Sequence, residues 1–256
     1  MKTILVLTVT VMLLGASATA GATMLSDLFG VSLSVNGAGA FNNSWAPVSA
    51  TADYFVDDNW STYFARTPHG GELFDIEAIY FDNDANYAYM AVVTSLPMPV
   101  GGYFLGEMIL PGDMGVNLGD EQYDVGIDVD EGTGVVADVV LGDWYQTGLN
   151  YNYELGPTNF DGGVPLGLAT VNYYDYGLVE RGYDTYVFEI KVPRSALRNP
   201  MHGDSIGLTW SMGCRNDVIT LDGTFDGDTV VPEPTTLLLL GSGLVGMVGA
   251  VRRRRK

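Results

Sequence analysis

The chain has 256 residues, of which 47% are hydrophobic, and a formal net charge of −19 at pH 7. The two ends, residues 1–20 and 232–256, contain half of the 12 basic residues but only one of the 31 acidic ones. The remaining body, residues 21–231, therefore has 6 basic and 30 acidic side chains, a net charge of −24. Such a field repels nucleic acid, which excludes that class of partner. Cys214 is the only cysteine, so an intrachain disulfide is impossible.

The N-terminal segment has the pattern of a secretory signal peptide. Lys2 is followed by an uncharged apolar run at residues 4–14, and Ala18 and Ala20 are the small residues that a signal peptidase reads. The apolar run is too short for a stable membrane span, which favours cleavage over anchoring. We therefore expect a signal helix at residues 1–20, removed by signal peptidase so that the mature chain begins at Gly21. A buried N-terminal helix is the alternative.

The C-terminal segment combines three elements in a fixed order. Pro232, Glu233 and Pro234 precede an uncharged apolar span at residues 235–251. As a helix, that span reaches about 26 Å, close to the hydrocarbon thickness of a bilayer. Five basic residues follow and predict a stop to translocation with this end in the cytoplasm: Arg252, Arg253, Arg254, Arg255 and Lys256. We expect a transmembrane helix in the inner membrane.

The order of these elements closely resembles the PEP-CTERM sorting signal over about the last 25 residues. The resemblance implies recognition at Pro232, Glu233 and Pro234 by an exosortase-type transpeptidase. It also implies a Gram-negative, often exopolysaccharide-producing host, with the body passed on to the cell surface or extracellular matrix. A plain C-terminal membrane anchor is the alternative.

The body, residues 21–231, shows short runs that alternate with a period of two, separated by glycine and Asx turns. Residues 74–80 and 87–93 predict a hairpin with one apolar face, and residues 123–129, 186–192 and 206–212 predict further strands. Only residues 194–198, after Pro193, suggest a short helix. The pattern predicts an all-β domain, an antiparallel β-sandwich of jelly-roll-like form.

Three segments of the body add a second resemblance. The hairpin at residues 74–94 looks like that of family 9 carbohydrate-binding-module-like, or DOMON-like, sandwiches. Residues 187–197 are similar to that group's strand with a proline and a short helical turn, and residues 203–219 resemble the closing strand often found just before a PEP-CTERM tail. The resemblance implies a β-sandwich of a carbohydrate-binding kind.

Clustered carboxylates make calcium a candidate cofactor. Asp82, Asp84 and Asn86 present oxygens at alternate positions of one turn, and oxygen is the ligand that Ca²⁺ prefers. Asp128 and Asp130 form a second acidic cluster before a glycine-rich turn. The alternative for the first cluster is a hydrogen-bonded hairpin turn, in which Asp and Asn are favoured for their own backbone bonds.

Aromatic residues and the lack of catalytic motifs complete the functional prediction. Trp60 and Trp144 flank acidic turns and could stack on sugars, although aromatic residues in strands usually pack, as we expect of Trp210. His69 and His202 are the only histidines, and no nucleophile or metalloprotease motif is present.

We predict a non-enzymatic surface protein that binds extracellular polysaccharide with calcium support. The alternatives are an acidic matrix or biofilm protein without a ligand, and a polysaccharide-active enzyme.

Overall fold

A computed structural model describes residues 23–31, 33, 45–56, 75–104, 107–119, 123–129, 132–145, 158–180, 183–213 and 217–226. Of these residues, 54% are in strands and 7% are helical. The predicted signal helix, the sorting tail and Cys214 lie outside the described residues, as do Trp60 and Asp130. In the part that the structure describes, no helix has the length and hydropathy needed to cross a membrane.

Strands follow one another along the body with short connections. In chain order they are β1 (Asp53–Val56), β2 (Ile76–Asn83), β3 (Tyr87–Thr94), β4 (Gly102–Phe104), β5 (Glu107–Ile109), β6 (Met114–Asn117), β7 (Val125–Ile127), β8 (Val135–Asp138), β9 (Trp144–Tyr145), β10 (Asn159–Phe160), β11 (Val164–Leu168), β12 (Thr170–Glu180), β13 (Tyr183–Pro193), β14 (Ser205–Ser211) and β15 (Val218–Thr224). One helical turn, α1 (Met24–Asp27), precedes them. The short helix predicted after Pro193 is confirmed as a 3-10 helix at Arg194–Leu197.

Two antiparallel sheets form the sandwich. The five-stranded sheet has the order β1-β2-β3-β13-β12, and the six-stranded sheet has the order β11-β8-β7-β6-β14-β15. Two-stranded pairs, β4 with β5 and β9 with β10, stand apart from them. The predicted all-β antiparallel sandwich is therefore confirmed.

The main core lies between the two sheets. The predicted alternation in β13 and β14 is confirmed, because Phe188, Ile190, Leu208 and Trp210 all point into this core. The rings of Phe188 and Trp210 lie 4.9 Å apart and join the sheets at the centre. Trp210 also donates its indole N–H to the Gly112 carbonyl at 2.8 Å, which satisfies its buried polar atom.

A second core covers the opposite face of the five-stranded sheet, and it corrects one prediction. The hairpin of β2 and β3 was expected to have one apolar face, but β2 is buried along its whole length. A register shift between Ile76 and Ala78 sends Ile76, Ile79 and Phe81 to the inner face. Ala78 and Tyr80 face outward, where the N-terminal segment covers them. The period-two pattern failed because a bulge changes its phase.

The N-terminal segment, residues 23–31, 33 and 45–52, is attached to this outer face by apolar side chains and hydrogen bonds. Leu25, Phe29 and Trp45 are almost fully buried there. The Leu25 N–H donates to the buried carboxylate of Glu189 on β13 at 2.6 Å, and the Tyr80 hydroxyl donates to the Trp45 carbonyl at 2.8 Å. Burial raises the pKa of Glu189, although backbone N–H groups of α1 lower it in part.

We predict that the N-terminal segment contributes a large share of the stability. The Phe29→Ala change should lower the free energy of unfolding by about 3–5 kcal/mol, because Phe29 is fully buried and its ring lies 5.5 Å from that of Tyr80. Val48→Ala in the same segment is the matched control, since Val48 is 81% exposed. Urea unfolding of the full-length chain measures both. Equal effects of the two changes would contradict the prediction.

Candidate functional site

A groove of about 200 Å³ lies on the outer face of the six-stranded sheet. Its floor is made of outward-facing residues of β6, β14 and β15, whose intervening side chains enter the main core. One row across the three strands contains Asn117, Gly207 and Asp222. The groove therefore stands on rigid, hydrogen-bonded backbone rather than on loops.

Gly207 produces the notch in the middle of that row. A Cβ at Gly207 would lie 3.3 Å from the Asn117 Cβ and 3.5 Å from an Asp222 carboxylate oxygen. A side chain there would fill the space between the two polar residues. The next row across the strands contains Thr209 and Thr220, whose hydroxyls add donors and acceptors to the floor.

The ring of Tyr123 forms the wall of the groove at β6. It lies directly on Gly115, where a Cβ would approach the Tyr123 Cδ1 to 2.6 Å. In the same way Phe160 lies on Gly126 of β7, where a Cβ would be 2.6 Å from the ring. Neighbouring glycines on the paired strands β6 and β7 thus allow two aromatic rings to lie flat against the sheet.

Trp144 holds Tyr123 in place and is itself buried. Its ring centroid lies 5.7 Å from that of Tyr123 and 5.4 Å from that of Phe160. The Trp144 indole N–H donates to the Tyr123 carbonyl at 3.0 Å. Only 8% of the surface of Trp144 is exposed, and its ring packs against those of Tyr123 and Phe160. Tyr123 is therefore the aromatic residue that lines the groove.

Charged contacts fix the backbone at Tyr123, which has the unusual left-handed φ of 59°. The neighbouring Asp124 accepts the Leu118 N–H at 3.1 Å and an Arg198 guanidinium N–H at 2.7 Å. Arg198 also pairs with Asp138 of β8 at 2.8 Å. Asp124 attracts the Arg198 guanidinium and, with Asp138, raises its pKa, although burial acts in the opposite direction.

At the first predicted calcium turn, protein donors already contact the carboxylates. Asp82 accepts the Asn83 N–H at 2.7 Å and the hydroxyls of Ser49 and Thr51 at 3.1 Å. Asp84 accepts the N–H groups of Asn86 and Tyr87 at 2.7 and 2.8 Å. These bonds fit the alternative interpretation, a hydrogen-bonded hairpin turn.

The second predicted calcium cluster is described only in part. Asp128 accepts a hydrogen bond from the Thr133 hydroxyl across the loop, while Asp130 lies outside the described residues. Among the residues that the structure does describe, no group of three or more His, Cys, Asp and Glu side chains could hold a metal ion. Calcium at either cluster stays a prediction.

The sequence prediction missed the groove residues Asn117, Tyr123, Gly207 and Asp222. One signal was available, because Gly207, Thr209 and Ser211 alternate with core residues and so mark a polar outer face. The pairing of Gly207 with Asn117 and Asp222 was not available, since register joins residues far apart in sequence.

We predict a pH-dependent contribution of Asp84. Burial alone raises its pKa, but hydrogen bonds from Tyr89, Asn86 and Tyr87, together with Lys191, lower it overall. A lowered carboxyl pKa contributes stability above the unfolded value of about 3.9 and loses it as pH falls. Asp84→Asn should therefore cost about 1 kcal/mol at neutral pH, with the difference from wild type shrinking below about pH 4.

Urea unfolding across pH tests this contribution of Asp84. Asp161→Asn is the matched control, because Asp161 is exposed and lies in the segment between β10 and β11. A difference that stays constant down to low pH would show that the turn does not depend on the charged form of Asp84.

Comparison with known proteins identifies the C-terminal segment. The PEP-CTERM protein-sorting motif matches residues 230–255, which contain the predicted Pro232, Glu233 and Pro234 and most of the basic end. No curated protein and no solved structure matches the chain. The resemblance of the body to DOMON-like sandwiches stays a prediction. The chain carries a PEP-CTERM sorting motif, and it is an exported protein that is anchored in the membrane in transit and sorted to the cell surface by an exosortase.

Proposed function

We propose that the body is a non-catalytic carbohydrate-binding module that attaches the sorted protein to extracellular polysaccharide. The groove beside Tyr123 is the observation that carries this proposal. It joins an aromatic ring, which can stack on a sugar face, to a floor of amide, hydroxyl and carboxylate groups that can bond to sugar hydroxyls. The floor stands on paired strands, and the Tyr123 ring lies against Gly115 of β6, so little ordering is needed on binding.

The composition of the groove also favours binding over hydrolysis. Glycosidases generally need two carboxyl groups flanking the scissile bond. Of the described residues that line the groove, Asp222 is the only carboxylate. His202 is exposed in the turn before β14 and is not among the residues that line the groove.

An acidic matrix protein without a ligand is the second candidate. The net charge of −24 on residues 21–231 favours it, since such a surface hydrates strongly and repels copies of itself. An acidic matrix protein gives no role to the notch at Gly207. A binding experiment therefore separates this candidate from the carbohydrate-binding module.

We predict that Gly207→Ala abolishes most glycan binding without unfolding the protein. The added methyl group would enter the notch between Asn117 and Asp222 and exclude a sugar hydroxyl. One misplaced methylene in a pocket costs roughly tenfold or more in affinity. The measurement is binding of the full-length protein, solubilised in mild detergent, to an oligosaccharide array followed by calorimetric titration of the best ligand.

Gly142→Ala is the matched control, because a Cβ at Gly142 meets nothing within 4 Å. Tyr123→Ala provides a second variant, which should weaken the same ligands by removing the stacking surface. Binding that survives in both groove variants would overturn the proposal. No binding to any oligosaccharide would favour the acidic matrix protein.

We also propose that calcium stabilises the body. The net negative charge of residues 21–231, which attracts cations, supports this proposal. An ion bound only by the native state at a hundredfold excess over Kd adds about 2.7 kcal/mol. Ca²⁺ should therefore raise the Tm by several degrees, and more than Mg²⁺ at equal ionic strength. Loss of the increment in Asp128→Asn, or in the pair Asp82→Asn and Asp84→Asn, would locate the ion at that cluster. Equal effects of the two ions would contradict calcium binding.

A further inference from the structure

We propose that the groove selects glycans that carry a free amine, and that Asp222 is the residue that recognises the ammonium group. This inference rests on the proposed function, because it concerns the ligand class of the same groove.

Among the described residues that line it, the groove offers an anion and no cation. Asp222 is exposed at the β15 side of the notch, with one carboxylate oxygen 3.5 Å from where a Cβ of Gly207 would stand. None of the described residues that line the groove is Lys or Arg. An ammonium group placed over Gly207 would thus meet a carboxylate directly, and a carboxylated sugar would be repelled.

The described basic residues are engaged elsewhere in the fold. The Lys191 ammonium lies 4.0 Å from the centre of the Tyr87 ring on the five-stranded sheet. An Arg194 guanidinium N–H donates to the Asp84 carbonyl at 3.1 Å, and Arg198 pairs with Asp124 and Asp138. None of these cations offsets Asp222, and the net charge of −24 on residues 21–231 adds to the repulsion of uronic acids.

The two sides of the notch differ in hydrogen-bonding character. The Asn117 side-chain oxygen already accepts the Gly119 N–H at 2.9 Å. The Asn117 amide nitrogen is a donor, on the side of the notch opposite the Asp222 acceptor. A 2-amino sugar matches this polarity, because its ammonium donates while the hydroxyl on the neighbouring carbon accepts.

Three oligosaccharides of equal length separate the ligand classes. They are a glucosamine oligomer with free amines, its fully N-acetylated counterpart and a galacturonic acid oligomer. Calorimetric titration of the full-length protein, at one ionic strength, should give an affinity for the free amine about fivefold higher than for the acetylated form. The galacturonic acid oligomer should not bind.

Two charge-matched variants locate the effect. Asp222→Asn should remove the preference for the free amine, so that the free and acetylated oligomers bind with equal affinity. Asp184→Asn makes the same change in net charge, but Asp184 is an exposed residue near the start of β13 in the other sheet, so the preference should persist. The Tm of each variant verifies that the fold is retained.

The possible outcomes distinguish this inference from the proposed function. Equal affinity for the free and acetylated oligomers, with both sensitive to Gly207→Ala, would overturn amine selection and keep the glycan-binding groove. A preference that persists in Asp222→Asn as it does in Asp184→Asn would assign the effect to the overall negative field, which the loss of one charge hardly changes, and would also overturn amine selection. Binding of all oligomers that ignores Gly207→Ala would overturn both proposals.

Discussion

Burial of the five-stranded sheet on both faces is the constraint on which the rest of the structure depends. The inner face packs across the sandwich through residues such as Phe188, which contacts Trp210. The outer face carries Ala78, Tyr80, Ala91, Val93 and Val187, which would form a large exposed apolar surface without a cover. Residues 23–31, 33 and 45–52 supply that cover. The groove lies instead on the outer face of the six-stranded sheet.

The acidic residues serve the fold as well as the surface. Several buried carboxylates accept backbone N–H bonds from distant parts of the chain: Glu189 from Leu25, Asp217 from Ile76, and Asp113 from Val129 and Phe160. Such bonds are stronger than those between neutral groups, and they satisfy N–H groups at strand ends and connections. Part of the acid content of this chain is thus internal to the fold.

The site and the sorting motif occupy different parts of the molecule. The groove lies on β6, β14 and β15, near the end of the described chain, and the PEP-CTERM motif follows at residues 230–255. The last described strand, β15, ends at Thr224 and contributes Asp222 to the groove. The residues that direct sorting are thus separate in sequence from the residues that line the groove.

Much of the architecture was predictable from local pattern. Alternation in β13 and β14 gave the inner face correctly, because both strands have one clear apolar phase over seven or more residues. The pairing of β2 with β3 was predicted correctly, but the prediction of one apolar face was wrong. A bulge changes the phase of β2, and the N-terminal segment covers the other face with apolar side chains. The groove was missed, since its members come from strands far apart in the sequence.

The sequence by itself determined the sorting motif, because order and composition along the chain are what a processing enzyme recognises. It also determined the strand-rich character of the body, through a period that each strand displays locally. Only the tertiary structure decided which tryptophan packs and which aromatic ring lines a groove. Trp144 and Tyr123 are indistinguishable as aromatic residues beside acidic turns, and their roles follow from the glycine of a neighbouring strand on which the Tyr123 ring lies. Register places that glycine there, and register is a property of the folded sheet.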